Sequence, residues 1–273
     1  MINNQNRSSK SAQNTDGGKE ERYQKILALL EEFPYLSVQK LSELLYVSLP
    51  TVRRDLTFLQ HSGMIVRNHG GARRSDAHTL DIPLEFRNSY KNKEKHALCR
   101  TAAQLIHPGD LLFIDASTTL LPLAEELAAI PDVRVVTNST PAVFVLAKHG
   151  IPTYGTGGEI LPQSLAFAGA DAEDFVRRFR FDAMFFSTYG VTQTGEIVDT
   201  SLPETHLRRA VLPRARKKIF VCDGEKFGLS APHVLCTLAD VDAIVTNLPL
   251  QEPYTAYADQ WVWQKEGKSR TIL

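Results

Sequence analysis

SLPTVRRDLTFLQ, residues 48–60, sets two adjacent arginines inside a helical pattern. Leu49, Val52, Leu56 and Leu59 step by three, four and three residues, which puts them on one stripe of a helix. Ser48 stands at the N-cap position, its hydroxyl available to an orphan amide of the first turn. Pro50 falls in that turn, where its missing N–H costs nothing. The pattern predicts a helix from about Ser48, with Pro50, Arg54 and Thr57 pointing away from the apolar stripe and Thr51 and Arg53 on its flanks. A charged helix face is usually only a solvated one, so the surrounding sequence decides what the arginines do.

Two helical patterns precede it. EERYQKILALLEE, residues 20–32, places Tyr23, Ile26, Leu27 and Leu30 on one face. SVQKLSELL, residues 37–45, opens on a cap candidate, Ser37, and directs Val38, Leu41, Leu44 and Leu45 inward. The short turn YVS then leads into the third helix, the spacing of a helix-turn-helix whose later helix enters the major groove. After Gly63, MIVRNHGGARR reads as a strand, a Gly70-Gly71 turn and a return strand carrying Arg73 and Arg74. A basic hairpin after a recognition helix is a wing that touches phosphate or the minor groove.

Residues 20–74 are therefore expected to form an α+β winged-helix domain that binds double-stranded DNA. The candidate contacts are Ser48, Pro50, Thr51, Arg53, Arg54, Thr57, Arg67, His69, Gly70 and Arg73. Arginine either contacts guanine bidentately or clamps phosphate, and the sequence does not say which arginine does which. His69 reads as a turn histidine near phosphate. The competing readings are a winged helix used for protein contact and a plain three-helix bundle.

At 273 residues the chain has room for two domains. Its net charge is zero, yet residues 1–74 hold 11 Lys/Arg against 7 Asp/Glu and residues 75–273 hold 20 against 24. A basic head on an acidic remainder fits a DNA-contacting module joined to something else. Cys99, Cys222 and Cys236 are widely spaced and form no CxxC, which calls for neither a disulfide framework nor a metal site and makes a reducing cytoplasm the default. No signal peptide and no apolar run near 18 residues is seen, and the AVFVLA segment at 142–147 reads as core, so no membrane partner is expected. Residues 1–19 are expected to be a disordered tail, and 75–92, which lack periodicity, a linker.

Beyond the linker, EKHALCRTAAQLI at 94–106 is amphipathic and ends before Pro108-Gly109. The strand LLFID, 111–115, runs into ASTT and a helix; VRVVT, 133–137, runs into NST and another helix; IPTYGTGG ends in glycines. Alternation of this kind predicts an α/β, Rossmann-like domain with a mostly parallel sheet over 93–249. Such sheets bind ligands outside the carboxyl ends of their strands, where helix N-termini present free N–H groups. Those ends read Asp115, Ser117, Thr118, Thr119, then Thr137, Asn138, Ser139, then Gly157, Gly158. They suit a phosphate or polyol without Walker-type spacing. The same residue types are also ordinary N-caps; three such loops on successive strands favour a site.

SLPETHLRRAVLPRA, residues 201–215, carries Glu204 into a helix, and KKIFVCDGEKFG, 217–228, is a strand ending in Asp223 with Lys226 three residues on. That acid and lysine either bind a ligand's hydroxyls and phosphate or form a surface pair of little worth. In the extension 250–273, QWVWQ puts Trp261 and Trp263 on one face of a strand, as packing.

VSLPTVRRDLTFLQHSGMIVRNHGGA resembles the N-terminal signature of the DeoR family of bacterial transcriptional regulators, in which VS-x-x-T-[IV]-RRDL leads through a glycine to R-x-HGGA. Glu94-Lys95, DASTT, TNS, the glycine pair, F-x-G at 167–169, Glu204 and D-x-x-K-F-G follow in the family's order. The resemblance implies a ribose-5-phosphate-isomerase-like second domain that responds to a phosphorylated sugar. It carries over Lys95, Asp115, Thr118, Thr119, Thr137, Asn138, Ser139, Gly158, Glu204 and Lys226 as effector contacts.

Two positions depart from the family pattern. Ser117 stands where D-x-G-T-T has glycine, which is expected to shrink the pocket, add a hydrogen-bonding group and change the preferred effector; Asn247 stands where aspartate is common. The implied protein is a cytoplasmic, nucleoid-associated repressor of a sugar-catabolism operon. It needs no cofactor and works as a homo-oligomer, dimer or tetramer, that sets two heads on two half-sites. The alternative is an isomerase-like enzyme with an appended head, using Asp115, Glu204 and Lys226 for acid–base chemistry. No nucleophile–base pair stands out to support it.

Overall fold

The computed structural model describes residues 8–61, 64–68, 70–74, 84–89, 91–265 and 268–271, and the chain divides into two compact units, one ending at residue 90 and one starting at Lys91. His69 and most of the expected linker lie outside the described residues.

The first unit runs α1 (Ser8–Glu32), β1 (Leu36–Ser37), α2 (Val38–Leu45), α3 (Leu49–His61), β2 (Ile65–Asn68), β3 (Gly71–Arg74) and α4 (Leu84–Ser89). Both predicted serine caps form: Ser37 Oγ accepts from the Lys40 amide at 3.1 Å and Ser48 Oγ from the Thr51 amide at 3.4 Å. The core joins Ile26, Leu27 and Leu30 of α1 to Val38 and Leu41 of α2 and to Val52, Leu56 and Leu59 of α3. Leu44, expected inside, is 40% exposed. At about 100° per residue it lies about 120° around the helix from Val38, at the edge of the stripe. α1 begins at Ser8, so residues 8–19, read as tail, are helical. Once the packed turns of α1 nucleate a helix, each further residue adds a hydrogen bond without a new nucleation cost.

The strands β1, β3 and β2 form an antiparallel sheet in that order, with Ile65 opposite Arg74 and Asn68 opposite Gly71. Gly71 is required there, because a Cβ would collide with the Leu36 carbonyl and the Tyr35 ring.

The second unit opens with α5 (Asn92–Ala103), β4 (Leu111–Ile114), α6 (Leu123–Glu126), β5 (Arg134–Thr137), α7 (Thr140–Lys148) and β6 (Thr153–Gly155). A hairpin, β7 (Glu159–Leu161) and β8 (Ala166–Ala168), leads to α8 (Ala170–Arg177) and β9 (Phe181–Phe186). Then come β10 (Gly190–Val191), β11 (Glu196–Asp199), α9 (Leu202–Val211), β12 (Ala215–Cys222), β13 (His233–Thr237), β14 (Ala243–Thr246), β15 (Trp261–Lys265) and β16 (Lys268–Thr271).

The main sheet has eight strands in the order β16-β15-β14-β12-β9-β4-β5-β6, seven of them parallel and β16 antiparallel to β15. A small antiparallel sheet, β10-β11-β13, stands beside it in the topology. Strand alternation divides the apolar residues between two clusters: Leu112 and Ile114 of β4 join one and Phe113 the other. Residues 250–273, read as an extension, supply β15 and β16 of the main sheet. Trp261 is fully buried, 5.3 Å from the Phe227 ring, and its indole N–H donates to the Leu248 carbonyl at 2.9 Å.

Candidate functional site

Two candidate sites emerge, one in each unit. In the first, α3 buries Val52, Leu56 and Leu59 completely and leaves Pro50, Arg53, Arg54 and Thr57 exposed, with Thr51 half-buried. Arg53 and Arg54 form no ion pair among the described residues. Ser48 Oγ lies 2.8 Å from Thr51 Oγ1. The helix is held by Asp55, which is 3% exposed and takes both arms of Arg22 on α1, at 2.5 and 3.0 Å. A buried carboxylate needs such a partner. Sequence reading passed over Asp55; its signal is its place three residues after Val52, within the apolar stripe.

The wing is tied to the same helix. Arg67 on β2 donates to Thr57 Oγ1 at 2.9 Å, and Thr57 donates to the Arg53 carbonyl at 2.8 Å. Arg73 is half-buried, with one nitrogen 3.2 Å from the Arg74 carbonyl, and Arg74 pairs with Glu31 of α1 at 3.1 Å. Gly70 is exposed and left-handed, φ +79°, as a tight turn demands. Nine of the ten candidate DNA contacts are thus described, all but His69, and they lie on α3, at its cap and along the hairpin.

In the second unit the carboxyl end of β4 delivers Asp115, 1% exposed. Its Oδ2 accepts from Arg208 Nε at 2.9 Å, while its Oδ1 has no hydrogen-bond partner among the described residues. Arg208, on α9, is 2% exposed and also reaches Asp199 at 2.8 Å and Glu204 at 2.9 Å. Glu204 in turn accepts from Ser164 Oγ at 2.6 Å. One guanidinium therefore gathers the ends of β4 and β11, the first turn of α9 and, through Glu204, the β7–β8 connection. Burial pushes the Asp115 carboxyl up to about 6; Arg208 opposes that, and Glu204 and Asp199 add to it. Burial alone would lower Arg208, but Asp115, Asp199 and Glu204 together hold it above the usual arginine range.

Two lysines flank the loop that follows Asp115. Lys95 of α5, 7% exposed, lies 3.2 Å from Thr118 Oγ1. Lys226 donates to the Thr188 carbonyl at 2.7 Å and lies 3.3 Å from Ser187 Oγ and 3.5 Å from Thr119 Oγ1. Burial pulls its ammonium below the usual lysine range. Lys91 bridges Glu225 at 2.5 Å and Asp223 at 3.5 Å, and Asp223 Oδ2 is a second buried acceptor without a partner among the described residues.

The loop's own amides are mostly committed. Ala116 N–H goes to Asn138 Oδ1 at 2.8 Å, Ser117 N–H to the Asp115 carbonyl at 2.9 Å, and Thr119 N–H to Ser117 Oγ at 3.1 Å. The Thr118 amide has no acceptor among the described residues.

The candidates therefore separate by role. Lys95, Asp115, Thr118, Thr119, Glu204 and Lys226 are brought together through these contacts, with Ser117 inside the same loop. Thr137, Asn138 and Ser139 brace the site from within: Thr137 Oγ1 donates to the Ile114 carbonyl at 2.6 Å, Asn138 holds Ala116, and Ser139 caps α7 through the Ala142 amide at 3.2 Å. Gly158 forms none of these bonds; a Cβ there would strike the Ala168 carbonyl and crowd Ala172, so close packing against β8 and α8 accounts for it.

Arg208, Asp199, Lys91 and Ser164 were missed from sequence. Arg208 had a signal, since Glu204, Leu207, Arg208 and Val211 share one buried stripe of α9. The open groove between α8 and α9, lined by Arg177, His206, Arg209 and Arg214, touches none of these residues. Among the described residues no three His, Cys, Asp or Glu are grouped to hold a metal ion, and burial pushes the thiols of Cys99, Cys222 and Cys236 up to about 12, which leaves them protonated. What remains is a site that combines lysine and N–H donors with two buried carboxylate oxygens lacking a partner among the described residues, suited to a ligand bearing both an anion and hydroxyls.

Comparison with known proteins finds matches over both units. Residues 22–78 match the family model described as the DeoR-like helix-turn-helix domain, and residues 90–248 the DeoR C terminal sensor domain. The transcriptional repressor AccR of Agrobacterium fabrum is 32% identical over 84% of this chain and 89% of its own. The glycerol-3-phosphate regulon repressor of Escherichia coli is 30% identical over 84% of this chain and 91% of its own, and the lactose phosphotransferase system repressor of Streptococcus mutans 32% over 84% and 92%. Among solved structures, the ribose 5-phosphate isomerase of Methanocaldococcus jannaschii covers 50% of this chain and 54% of its own, with 14% identity and a TM-score of 0.38.

Proposed function

The chain belongs to the DeoR family of transcriptional regulators, and from that premise we propose that it represses a sugar-catabolism operon and releases it when a phosphorylated sugar binds the second unit. Relatives named as repressors of glycerol-3-phosphate and lactose phosphotransferase genes support that reading. They give no support to an enzyme, and the protein is a regulator.

The observation that carries the DNA half is the pair of exposed guanidiniums of Arg53 and Arg54, without an ion pair among the described residues, on a capped helix whose opposite stripe of Val52, Leu56 and Leu59 is fully buried. Guanidiniums left uncommitted on a rigid helix suit guanine edges and phosphates. Arg67 and Arg73 on the hairpin would add phosphate contacts. Two heads in a dimer or tetramer would span two half-sites.

The effector half rests on the donor and acceptor sets around Asp115. Lys95, Lys226 and the Thr118 amide would take the phosphate, and Asp115 Oδ1 and Asp223 Oδ2 the sugar hydroxyls. The effector must bind one conformation of the second unit better than the other, or nothing would reach the DNA. The test is binding of promoter fragments from the protein's own genome, with and without a panel of phosphorylated sugars. Tight, salt-sensitive binding to one fragment is expected, weakened at least tenfold by Arg54→Ala and relieved by one member of the panel. Equal binding to every fragment, with no response to the panel, rejects the proposal.

A further inference from the structure

We propose that Ser117 is a specificity-determining residue that keeps an anion off the Thr119 amide by filling that seat with its own hydroxyl. This rests on the reading of the loop after Asp115 as the effector's anion site. Between Ala116 and Leu121 the amides of Ala116, Ser117, Leu120 and Leu121 are bound to Asn138, Asp115 and the Ser117 carbonyl. Two remain for a ligand in principle, those of Thr118 and Thr119. The Thr118 amide has no acceptor among the described residues, whereas the Thr119 amide donates to Ser117 Oγ at 3.1 Å.

A phosphate approaching between the lysines at Thr118 and Thr119 thus meets one bare amide and one amide already satisfied by a neutral oxygen. A neutral acceptor holds an N–H less strongly than an anion would. The hydroxyl nevertheless holds the Thr119 amide, so a phosphate oxygen can take that donor only by displacing it. Ser117 is half-exposed and its hydroxyl anchors nothing beyond this loop among the described residues, so its removal opens the seat without emptying a core position. The consequence is a site tuned against the bare phosphate group, with selectivity shifted onto the hydroxyls that Asp115 Oδ1 and Asp223 Oδ2 can accept.

The experiment is isothermal titration of the full chain with inorganic phosphate and, separately, with a panel of phosphorylated sugars, for wild type, Ser117→Ala and Ser117→Thr. Ser117→Ala should bind inorganic phosphate about tenfold more tightly, the worth of one hydrogen bond to a charged acceptor, and Ser117→Thr should match wild type. Adding Lys226→Gln to Ser117→Ala should abolish the gain, which ties it to this loop. Unchanged or weaker phosphate binding by Ser117→Ala overturns the role given to Ser117 while the anion site stands. If no variant binds phosphate or any panel member while operator binding persists, the anion site itself is wrong.

Discussion

Arg54 and Arg208 both sit on amphipathic helices, yet Arg54 stands exposed on α3, while Arg208 is 2% exposed on α9 and carries three carboxylates. The first unit has a buried ion pair too, but it is one acid to one arginine, Asp55 with Arg22. The second unit crowds three acids around one cation. The two units keep their chemistry in different places. The first displays the exposed cations of α3 on a scaffold fixed by apolar packing, with Asp55–Arg22 as its buried ion pair among the described residues. The second builds its scaffold out of the charges themselves, so its binding groups and its structural groups overlap. Changes to buried charge should then cost more in the second unit than in the first.

Arg208→Met is the hardest blow to that comparison. It leaves three carboxylates desolvated without their cation, and losing one partner of a buried pair costs about 3–5 kcal/mol. Both tryptophans, Trp261 and Trp263, lie in the second unit, so their fluorescence during urea unfolding reports on it. A loss below 1 kcal/mol would mean that the cluster is not structural.

A second test reads the excess acid as a pH dependence. The Asp115 carboxyl is raised to about 6 in the fold, against about 3.9 in an unfolded chain. The folded state therefore holds the proton more tightly, so the contribution is fully present below about pH 4 and is lost as pH rises through about 6. The whole effect is at most about 3 kcal/mol, two units at about 1.4 kcal/mol each. Asp115→Asn cannot titrate. The stability of wild type minus that of Asp115→Asn should fall between pH 4 and 6, and a flat difference would count against the buried-carboxylate account.

Asp55→Ala supplies the counterpart in the first unit. It removes the partner of one arginine that still reaches solvent, so a loss of about 2 kcal/mol is expected. Hydrogen exchange should quicken at amides of α1 and α3 and stay unchanged in the main sheet. A loss as large as that from Arg208→Met would erase the distinction between the units.

The same distinction explains what the sequence disclosed. The stripe of Val52, Leu56 and Leu59, the serine caps and the alternation of strands with helices are all local patterns, and each appears in the structure. So does the loop from Asp115 to Thr119, which is contiguous in the chain. Arg208 was hidden because its partners lie 93, 9 and 4 residues away, and only the last is within one helix. The strands β15 and β16 were read as an extension because no helical pattern of clear period joins β14 to Trp261 and so marks the crossover. Loop residues that could bind a ligand or cap a helix, such as Ser139, carry the same sequence signal for both tasks.

The smallest effect is expected at Tyr46, the one non-glycine residue with a left-handed backbone among the first unit's described residues. It joins α2 to α3 with φ +54° and is 94% exposed, so its ring gains little packing to offset a left-handed backbone. That conformation costs a non-glycine residue about 1–2 kcal/mol. Glycine would relieve the strain but lose about 0.5–1 kcal/mol by loosening the unfolded chain. Tyr46→Gly should therefore stabilise the first unit by about 0.5 kcal/mol, seen as slower hydrogen exchange in α2 and α3. Operator affinity measured on the same variant decides what the tyrosine is for. If the unit stiffens while affinity drops, the exposed ring contacts DNA, and the rule that this unit keeps its functional groups on display extends from the arginines to the turn. If affinity holds, the strain has no part in recognition and the display is confined to α3 and the hairpin.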